Sequence, residues 1–468
     1  MSRPAGRETF GSRFGLIMVM IGVAAGLGNI WRFPYMVGRF GGAAFVLVYV
    51  TAVLAIGVPA LMAEWALGRH TRRGPVGAFE RAGLPLGQPI GWFFFCVVVA
   101  ATGYYTAVIG WVLFHAVALA AGGLGVPVQA SAILPPATGF AARSFALQAG
   151  ATGLVILSCV TVLLRGLRSG IEAASKVITP ALFLTLLVLI VRSTTLPGSF
   201  EGIHWYLLKF ELADLSPRVI LAGLGQAVFS LSLGGTFMVI YGSYLRPEDD
   251  LASGALFTAF GDTAVGLLAG LVIFPAVFAQ GLEPTSGPGL LFATLPGVFA
   301  SIPAGALFGI LFFGALFGAA YLSDVAAFEV LVAGLTDNLR MGRKRAVWLM
   351  AGLVFLLSLP PTLNMKVFVP WDLTFGSGMQ TLGVLLAVLT AGWALRRADA
   401  LRELAPRSAA RRGEAHSAAE ESEPGHSEPP PALTRALYYW LRFVVPGAIL
   451  AVGIWWLLTD VLGVSRGV

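Results

Sequence analysis

Charge is what this sequence has least of. Only 12% of its 468 residues are Asp, Glu, Lys or Arg, against roughly 25% in a soluble domain, so a water-facing surface cannot be covered. Cysteine is also scarce. Cys96 and Cys159 each lie in an apolar stretch, form no C-x-x-C pair and read as packing residues, so nothing points to redox chemistry or a disulfide framework. The five histidines, His70, His115, His204, His416 and His426, are scattered. There is no H-E-x-x-H, no Gly-rich phosphate loop and no Ser/His/Asp set, so the expectation is that the chain is not an enzyme. A cleavable signal peptide is not expected either: the first apolar run, from Phe14, is longer than a signal's and contains Asn29 and Arg32.

What fills the chain instead is apolar sequence, 57% of residues, with a mean hydropathy of +0.81. Runs of about 20 residues, long enough to cross roughly 30 Å of hydrocarbon, recur throughout. The pattern predicts an all-α integral membrane protein with eleven spans, at 13–37, 41–68, 89–121, 146–165, 172–192, 217–244, 250–280, 300–336, 345–362, 370–396 and 436–462. Basic residues cluster on one side of these spans: Arg3, Arg7 and Arg13; Arg69, Arg72, Arg73 and Arg81; Arg165 and Arg168; Arg246; Arg340, Arg343, Lys344 and Arg345; and the stretch from Arg396 to Arg435. With about 21 Lys/Arg on that side and about 7 on the other, it faces the cytoplasm. An inner-membrane protein follows, its N-terminus cytoplasmic and its C-terminus periplasmic. The net charge of +7 reflects this bias and implies no nucleic-acid partner; the lipid bilayer is the expected surroundings.

Residues 397–434 break the pattern. They are rich in charge, Ser, Ala and Pro and have too few apolar residues for a core, as in a disordered cytoplasmic linker. They separate a ten-span core, 1–396, from 435–468, the eleventh span and a short periplasmic tail. Within the core, 1–192 and 217–396 read as two inverted five-span repeats. The reason is a pair of Gly-rich interruptions at matching places: Gly22-Val-Ala-Ala-Gly-Leu-Gly-Asn29 in span one and Ser230-Leu-Ser-Leu-Gly-Gly-Thr236 in span six. Small residues also serve close helix packing. A helix broken inside a membrane, however, leaves N–H and C=O groups that a bound ligand or ion satisfies, and matched breaks point to a midplane site.

The residues around these breaks carry a resemblance. SRFGLIMVMIGVAAGLGNIWRFPYMVGRFGGAAFVLVYV, followed by EWALGR, then GYY of span three, GQAVFSLSLGG of span six and DTAVGLLAGLVIFP of span seven, resemble the neurotransmitter:sodium symporter family in its bacterial amino-acid-transporter branch. The likeness runs over spans one to ten. Half-helix N-termini suit a carboxylate and half-helix C-termini an ammonium group or a cation, so one site with both suits a zwitterion. The resemblance implies carboxylate binding by the N–H groups of Leu27 and Gly28 and by the Tyr105 hydroxyl. It implies amine binding by carbonyls of Ala24, Phe229 and Ser230, with Phe229 as a lid.

For a first sodium ion the resemblance implies Asn29, Ser230, Asp262 and the Ala24 carbonyl. A carboxylate inside a membrane is costly and marks function by default; an Asp at this place implies that chloride is not required. A one-residue slip in the alignment would put Gly261 there. A second sodium site is implied at the carbonyls of Gly22, Ala25 and Ala319 with the Ser323 hydroxyl. There the pattern departs, because Leu322 stands where an oxygen ligand is expected. One sodium ion or two is therefore left open. So is Asp324, as a substitute ligand, a proton carrier, or a group paired elsewhere in the bundle.

The resemblance also implies an outer gate, Arg32 with Asp372 and nearby Gln226, and an inner gate, Arg7 with Asp337 beside Phe10 and Tyr244. It gives Glu64 a structural role in holding the broken span six, and it links Gly170 and Pro180 to local unwinding of span five. The side-chain pocket would be walled by Ala101, Ser232, Gly235 and Ala327. These are small and uncharged, as suits a bulky hydrophobic or aromatic neutral amino acid. The function expected is sodium-coupled symport of such an amino acid into the cell. The alternatives are a proton-coupled carrier of the same fold and a non-transporting membrane sensor. Oligomeric state is not legible.

Overall fold

In hydrocarbon the backbone has no water to bond to, so long apolar runs fold as helices that satisfy their own N–H and C=O groups. The computed structural model describes residues 8–282, 291–292, 295–301, 303–406 and 431–462, and no strand occurs among them. The principal helices are α1 (Arg13–Ala24), α2 (Gly28–Phe40), α3 (Ala43–Thr71), α4 (Gly87–Gly123), α5 (Ala142–Leu163), α6 (Leu167–Thr194), α7 (Pro217–Ser230), α8 (Phe237–Ser243), α9 (Leu251–Ala279), α10 (Gly305–Leu339), α11 (Arg343–Thr362), α12 (Met365–Ala394), α13 (Arg397–Leu404) and α14 (Ala432–Thr459). Among the described residues nine helices are long and apolar enough to cross a membrane, or ten if the bent pair α1–α2 is one span. The expected span at 217–244 is instead two pieces, α7 and α8, of 14 and 7 residues. Neither is long enough to cross by itself.

Local sequence explains where helices start. The Ser12 hydroxyl accepts from Gly15 N at 3.0 Å to begin α1. Ser216, followed by Pro217 in the first turn, begins α7. The Asp250 carboxylate accepts from Ser253 N at 2.8 Å at the head of α9. Each satisfies an N–H that the helix leaves unpaired. Large apolar side chains such as Leu154, Val177, Leu184 and Phe260 are exposed on the outer faces, as suits lipid contact. Polar side chains are turned inward: Asn29, Glu64, Gln226, Asp262 and Asp324 are fully buried.

Both Gly-rich stretches are breaks. α1 ends at Ala24 and α2 restarts at Gly28, bent by 55°. Between α7 and α8, Ser232, Gly234 and Thr236 take positive φ values of 51°, 85° and 59°. At Gly234 only glycine serves, because a Cβ there would collide with the Gln380 carbonyl. The exposed N–H of Gly234 is taken by the buried Glu64 carboxylate on α3, at 2.8 Å. α8 is seated against α3 where Gly68 meets the Val239 carbonyl and Gly242 meets Trp65. In span five the turn around Gly170 is π-helical over Leu167–Glu172, while Pro180 sits inside a continuous helix.

The expected linker at 397–434 begins later than its composition suggests. Arg397–Leu404 form α13, with Ala400, Leu401 and Leu404 buried. Arg69 from the end of α3 holds α13 in place, bonding the Glu403 carboxylate at 2.6 Å, the Glu403 carbonyl at 2.8 Å and the Asp249 carbonyl at 2.6 Å. Outside the membrane, Asp399 has its carboxyl held below the usual range by a hydrogen bond from Arg396. Three apolar residues on one face are enough to dock a helix of eight once a buried arginine anchors it. Residues 407–430 lie outside those described.

Replacing Gly234 by Ala forces a side chain into the Gln380 carbonyl and a left-handed backbone. The variant is expected to lose the monodisperse folded peak in detergent size-exclusion chromatography, whereas Gly122→Ala, at a glycine with open space around it, leaves it unchanged.

Candidate functional site

The two breaks face each other, and polar side chains from four helices converge on them. Asn29, in the first turn of α2, accepts a hydrogen bond from Gly26 N at 3.1 Å through its side-chain oxygen. Its amide nitrogen donates to the Asp262 carboxylate at 2.7 Å, the Asp262 carbonyl at 2.9 Å and the Ser230 hydroxyl at 3.0 Å. Ser230, the last residue of α7, donates to the other Asp262 carboxylate oxygen at 2.6 Å. The Tyr49 hydroxyl lies 3.0 Å from Ser230 Oγ. Asn29, Ser230 and Asp262, expected together from sequence, thus form one cluster sealed from water. Gly261 does not take the place of Asp262; it packs on Ile21. Tyr49 was missed, since a tyrosine in an apolar span reads as packing. Hard oxygen donors in a dry pocket suit a small hard cation. Among the described residues, no group of three or more His, Cys, Asp or Glu side chains forms a metal centre.

Beside this cluster lies a cavity with about 540 Å³ of space not filled by protein atoms, its mouth included. Ala24, Gly26, Gly28, Ala101, Thr102, Tyr104, Tyr105, Phe229, Ser232, Phe237, Ser323, Ala327 and Gln380 line it. None is charged. The Tyr105 hydroxyl accepts from Leu27 N at 3.3 Å and lies against Ser323. A Cβ at Gly26 would stand 2.6 Å from that hydroxyl, so the backbone of the break approaches Tyr105 only because glycine is there. The Phe229 ring covers Gly28, where a Cβ would stand 2.9 Å from the ring. The Ser232 hydroxyl donates to Val23 O at 3.0 Å and approaches Ala24 O at 3.5 Å, and the Phe229 carbonyl accepts from Ser232 N at 3.1 Å.

Of the expected pocket walls, Ala101, Ser232 and Ala327 line the cavity. Gly235 does not, because the Phe237 ring folds back over it and takes its place. The volume opened by a glycine is refilled by a neighbour two residues along. Tyr104 lies in the GYY motif but was given no role there, Thr102 and Phe237 directly flank motif stretches, and Gln380 lies on a span where only Asp372 was singled out.

The second group, Gly22, Ala25, Ala319 and Ser323, is also buried or half-buried near α1 and α10, but Leu322 lies in its midst. A Cβ at Gly22 would stand 2.7 Å from a Leu322 methyl and 3.2 Å from the Thr179 hydroxyl. Asp324 faces away from this group. Thr106 Oγ1 on α4 lies 3.0 and 3.2 Å from its two oxygens, and Cys159 Sγ on α5 lies 3.7 Å away. Of the sequence alternatives, pairing elsewhere in the bundle is the geometry seen.

Above the cavity, the Arg32 guanidinium lies 4.1 Å from the centre of the Phe229 ring. Asp372 accepts from Tyr104 and lies within electrostatic reach of Arg32. Gln226 donates to Gly28 O at 3.0 Å. On the other side, Arg7 lies outside the described residues. The Asp337 carboxylate accepts from Gly74 N at 2.8 Å, and Phe10 packs on Tyr241 and Tyr244. Here the structure adds a pair missed from sequence: Tyr244 donates to Glu329 at 2.6 Å, and Arg343 bonds the same buried carboxylate at 2.7 Å. Their separation of 14 residues across a helix end hid the pair.

The sequence matches the model of the Sodium:neurotransmitter symporter family over residues 7–123 and 146–394. It is 35% identical over 372 residues to an uncharacterized sodium-dependent transporter of Haemophilus influenzae, covering 76% of this chain and 80% of that one. It is 34% identical over 455 residues to the uncharacterized sodium-dependent transporter YhdH of Bacillus subtilis, covering 94% and 96%. The fold superimposes on the crystal structure of MhsT in complex with L-phenylalanine with a TM-score of 0.78 and 33% identity, covering 96% of this chain and 99% of that one.

Removing Asn29 strips from a buried carboxylate the amide that holds it most closely and also bonds Ser230, whereas removing the Tyr49 hydroxyl deletes a peripheral member of the same cluster. Asn29→Ala is therefore expected to cost about 3 kcal/mol and Tyr49→Phe about 1 kcal/mol. Thermal unfolding of the purified proteins in detergent reads the order directly.

Proposed function

The chain belongs to the sodium:neurotransmitter symporter family, and from that premise we propose that it carries a neutral amino acid with a bulky hydrophobic or aromatic side chain into the cell. A sodium-coupled, multi-pass membrane transporter is what its relatives make it. The finer reading rests on one observation above the rest: an uncharged cavity at two helix breaks, with the Tyr105 hydroxyl and the N–H groups of α2 at one end. Such an end suits a carboxylate, and the carbonyls of Ala24, Phe229 and Ser230 suit the amine, so the zwitterion bridges the breaks. The uncharged wall favours a neutral side chain, and Ala101 and Ala327 leave it room. That a relative of the same fold was crystallised with L-phenylalanine supports the same class.

In this reading Asn29, Ser230, Asp262 and the Ala24 carbonyl hold a sodium ion beside the substrate. Its charge is balanced by Asp262, so chloride is not needed. The covering of Gly22 by Leu322 argues for a single ion over two. Arg32 and Asp372 close the outer side, and Arg7 and Asp337 the inner. We further propose eleven spans, counting α1–α2 and α7–α8 as one each, in two inverted repeats over 1–192 and 217–396. The cytoplasmic segment after residue 396 then leads to a last span whose C-terminus is periplasmic. Alternating access moves one repeat against the other around the site.

Proteoliposomes with an inward sodium gradient are expected to accumulate phenylalanine, to lose this when potassium replaces sodium, and to keep it when gluconate replaces chloride. Asp262→Ala is expected to abolish accumulation; uptake by that variant at the wild-type rate would sink the ion assignment. Tyr105→Phe removes a hydrogen bond to a charged group, worth about 2 kcal/mol. Its phenylalanine Kd in equilibrium binding is accordingly expected to rise roughly 30-fold.

A further inference from the structure

Most polar side chains that line the cavity already have a partner within the protein. The Tyr105 hydroxyl accepts from Leu27 N and lies against Ser323. Tyr104 bonds Asp372, Ser232 bonds Val23 O, and Thr102 donates to Val98 O at 2.7 Å. Gln380 differs. It lines the same cavity, and its side-chain amide has no hydrogen-bond partner among the described residues. An amide with two donors and an acceptor in a mostly apolar cavity loses water when a ligand enters, and that loss is made good only by a ligand group able to bond it.

Its place in the cavity says which end of the ligand that is. Gln380 stands on α12 two helical turns beyond Asp372, on the face that also carries Gly376 against Tyr104. Its own carbonyl abuts Gly234, in the break between α7 and α8. It is therefore on the side of the α7–α8 break, with Ser232, Gly235 and Phe237. The Phe237 ring, folded over Gly235, gives this end a flat aromatic wall. A flat apolar wall with one free amide suits a ring that has a polar edge.

We propose that Gln380 is a specificity-determining residue that hydrogen-bonds a polar group on the ring of an aromatic amino acid. The site accordingly prefers a phenol or an indole N–H, as in tyrosine or tryptophan, to an unsubstituted phenyl ring. The proposal rests on the neutral amino-acid reading above and narrows it. A polar group left unpaired on binding discriminates strongly against the analogue that lacks its partner, whereas an added ring hydroxyl is poorly rejected by a plain apolar pocket. Because Gln380 is only half-buried, the preference is expected to be about tenfold rather than the much larger factors of sealed sites.

The test is competition binding to the purified full-length protein in sodium, with tyrosine, tryptophan and phenylalanine displacing one radiolabelled aromatic amino acid. Wild type is expected to bind tyrosine and tryptophan about tenfold more tightly than phenylalanine. Gln380→Leu is expected to erase or invert that ratio while phenylalanine affinity stays within about twofold. The ratio in wild type needs no variant to fold: phenylalanine binding as tightly as tyrosine there overturns the proposal. So does a Gln380→Leu protein that keeps the wild-type ratio or weakens all three ligands alike. If none of the three binds in sodium, it is the broader amino-acid reading that fails, and Gln380 loses its ligand with it.

Discussion

A peptide group in the middle of a membrane must find a hydrogen-bond partner within the protein, and the rest of this structure follows from breaking two helices there. The breaks at 25–27 and 231–236 free N–H and C=O groups that hydrocarbon will not accept. Five of them are met by a side chain brought from another helix or from across the break. Glu64 on α3 takes Gly234 N, Tyr105 on α4 takes Leu27 N, Asn29 takes Gly26 N, Gln226 supplies Gly28 O, and Ser232 supplies Val23 O. Polar residues that would be expensive in an apolar bundle are concentrated where they satisfy the backbone. What they enclose is a polar-edged cavity between the two breaks.

The same constraint separates the two intramembrane aspartates. Asp262 lies at the breaks and is surrounded by donors, the Asn29 amide and the Ser230 hydroxyl, with Tyr49 beyond them. That gives its two oxygens a set of hydrogen-bond donors from three other helices. Asp324 lies one helix face away from the breaks, against Thr106 and the weakly donating Cys159. The Thr106 hydroxyl has one proton and also points it at Thr102 O, 2.7 Å distant. Two carboxyl groups of the same type, both fully buried, thus have different partners because one stands at freed backbone and the other between intact helices.

Much of the site was legible because its residues sit on the broken stretches themselves. Asn29 and Ser230 are recognisable as polar residues at Gly-rich interruptions, and Asp262 as a lone carboxylate in an apolar run. Their meeting agrees with a likeness to a known family carried by long motifs. What escaped was whatever depends on side-chain direction across the breaks. Phe237 follows a turn with positive φ at Thr236, and its ring lies over Gly235. Glu329 and Arg343 are 14 residues apart across a helix end, yet form an ion pair with two hydrogen bonds. Composition overextended the linker, because the three apolar residues that dock α13 are diluted by charged neighbours that face water or Arg69.

The sequence by itself determined the class of molecule. Long apolar runs with almost no charge make membrane helices, and paired glycine-rich interruptions mark where the helices fail. Those are properties of composition and spacing, and they do not depend on how the helices pack. Tertiary structure alone decided which side chains meet there: that Leu322 lies against Gly22, that Asp324 turns to Thr106, that Phe237 replaces Gly235 as a cavity wall, and that Gln380 has no partner among the described residues. The physical reason is that a break in a helix frees the chain from a fixed rise and rotation per residue. Beyond it, side-chain direction is set by packing against other helices, which no local pattern encodes.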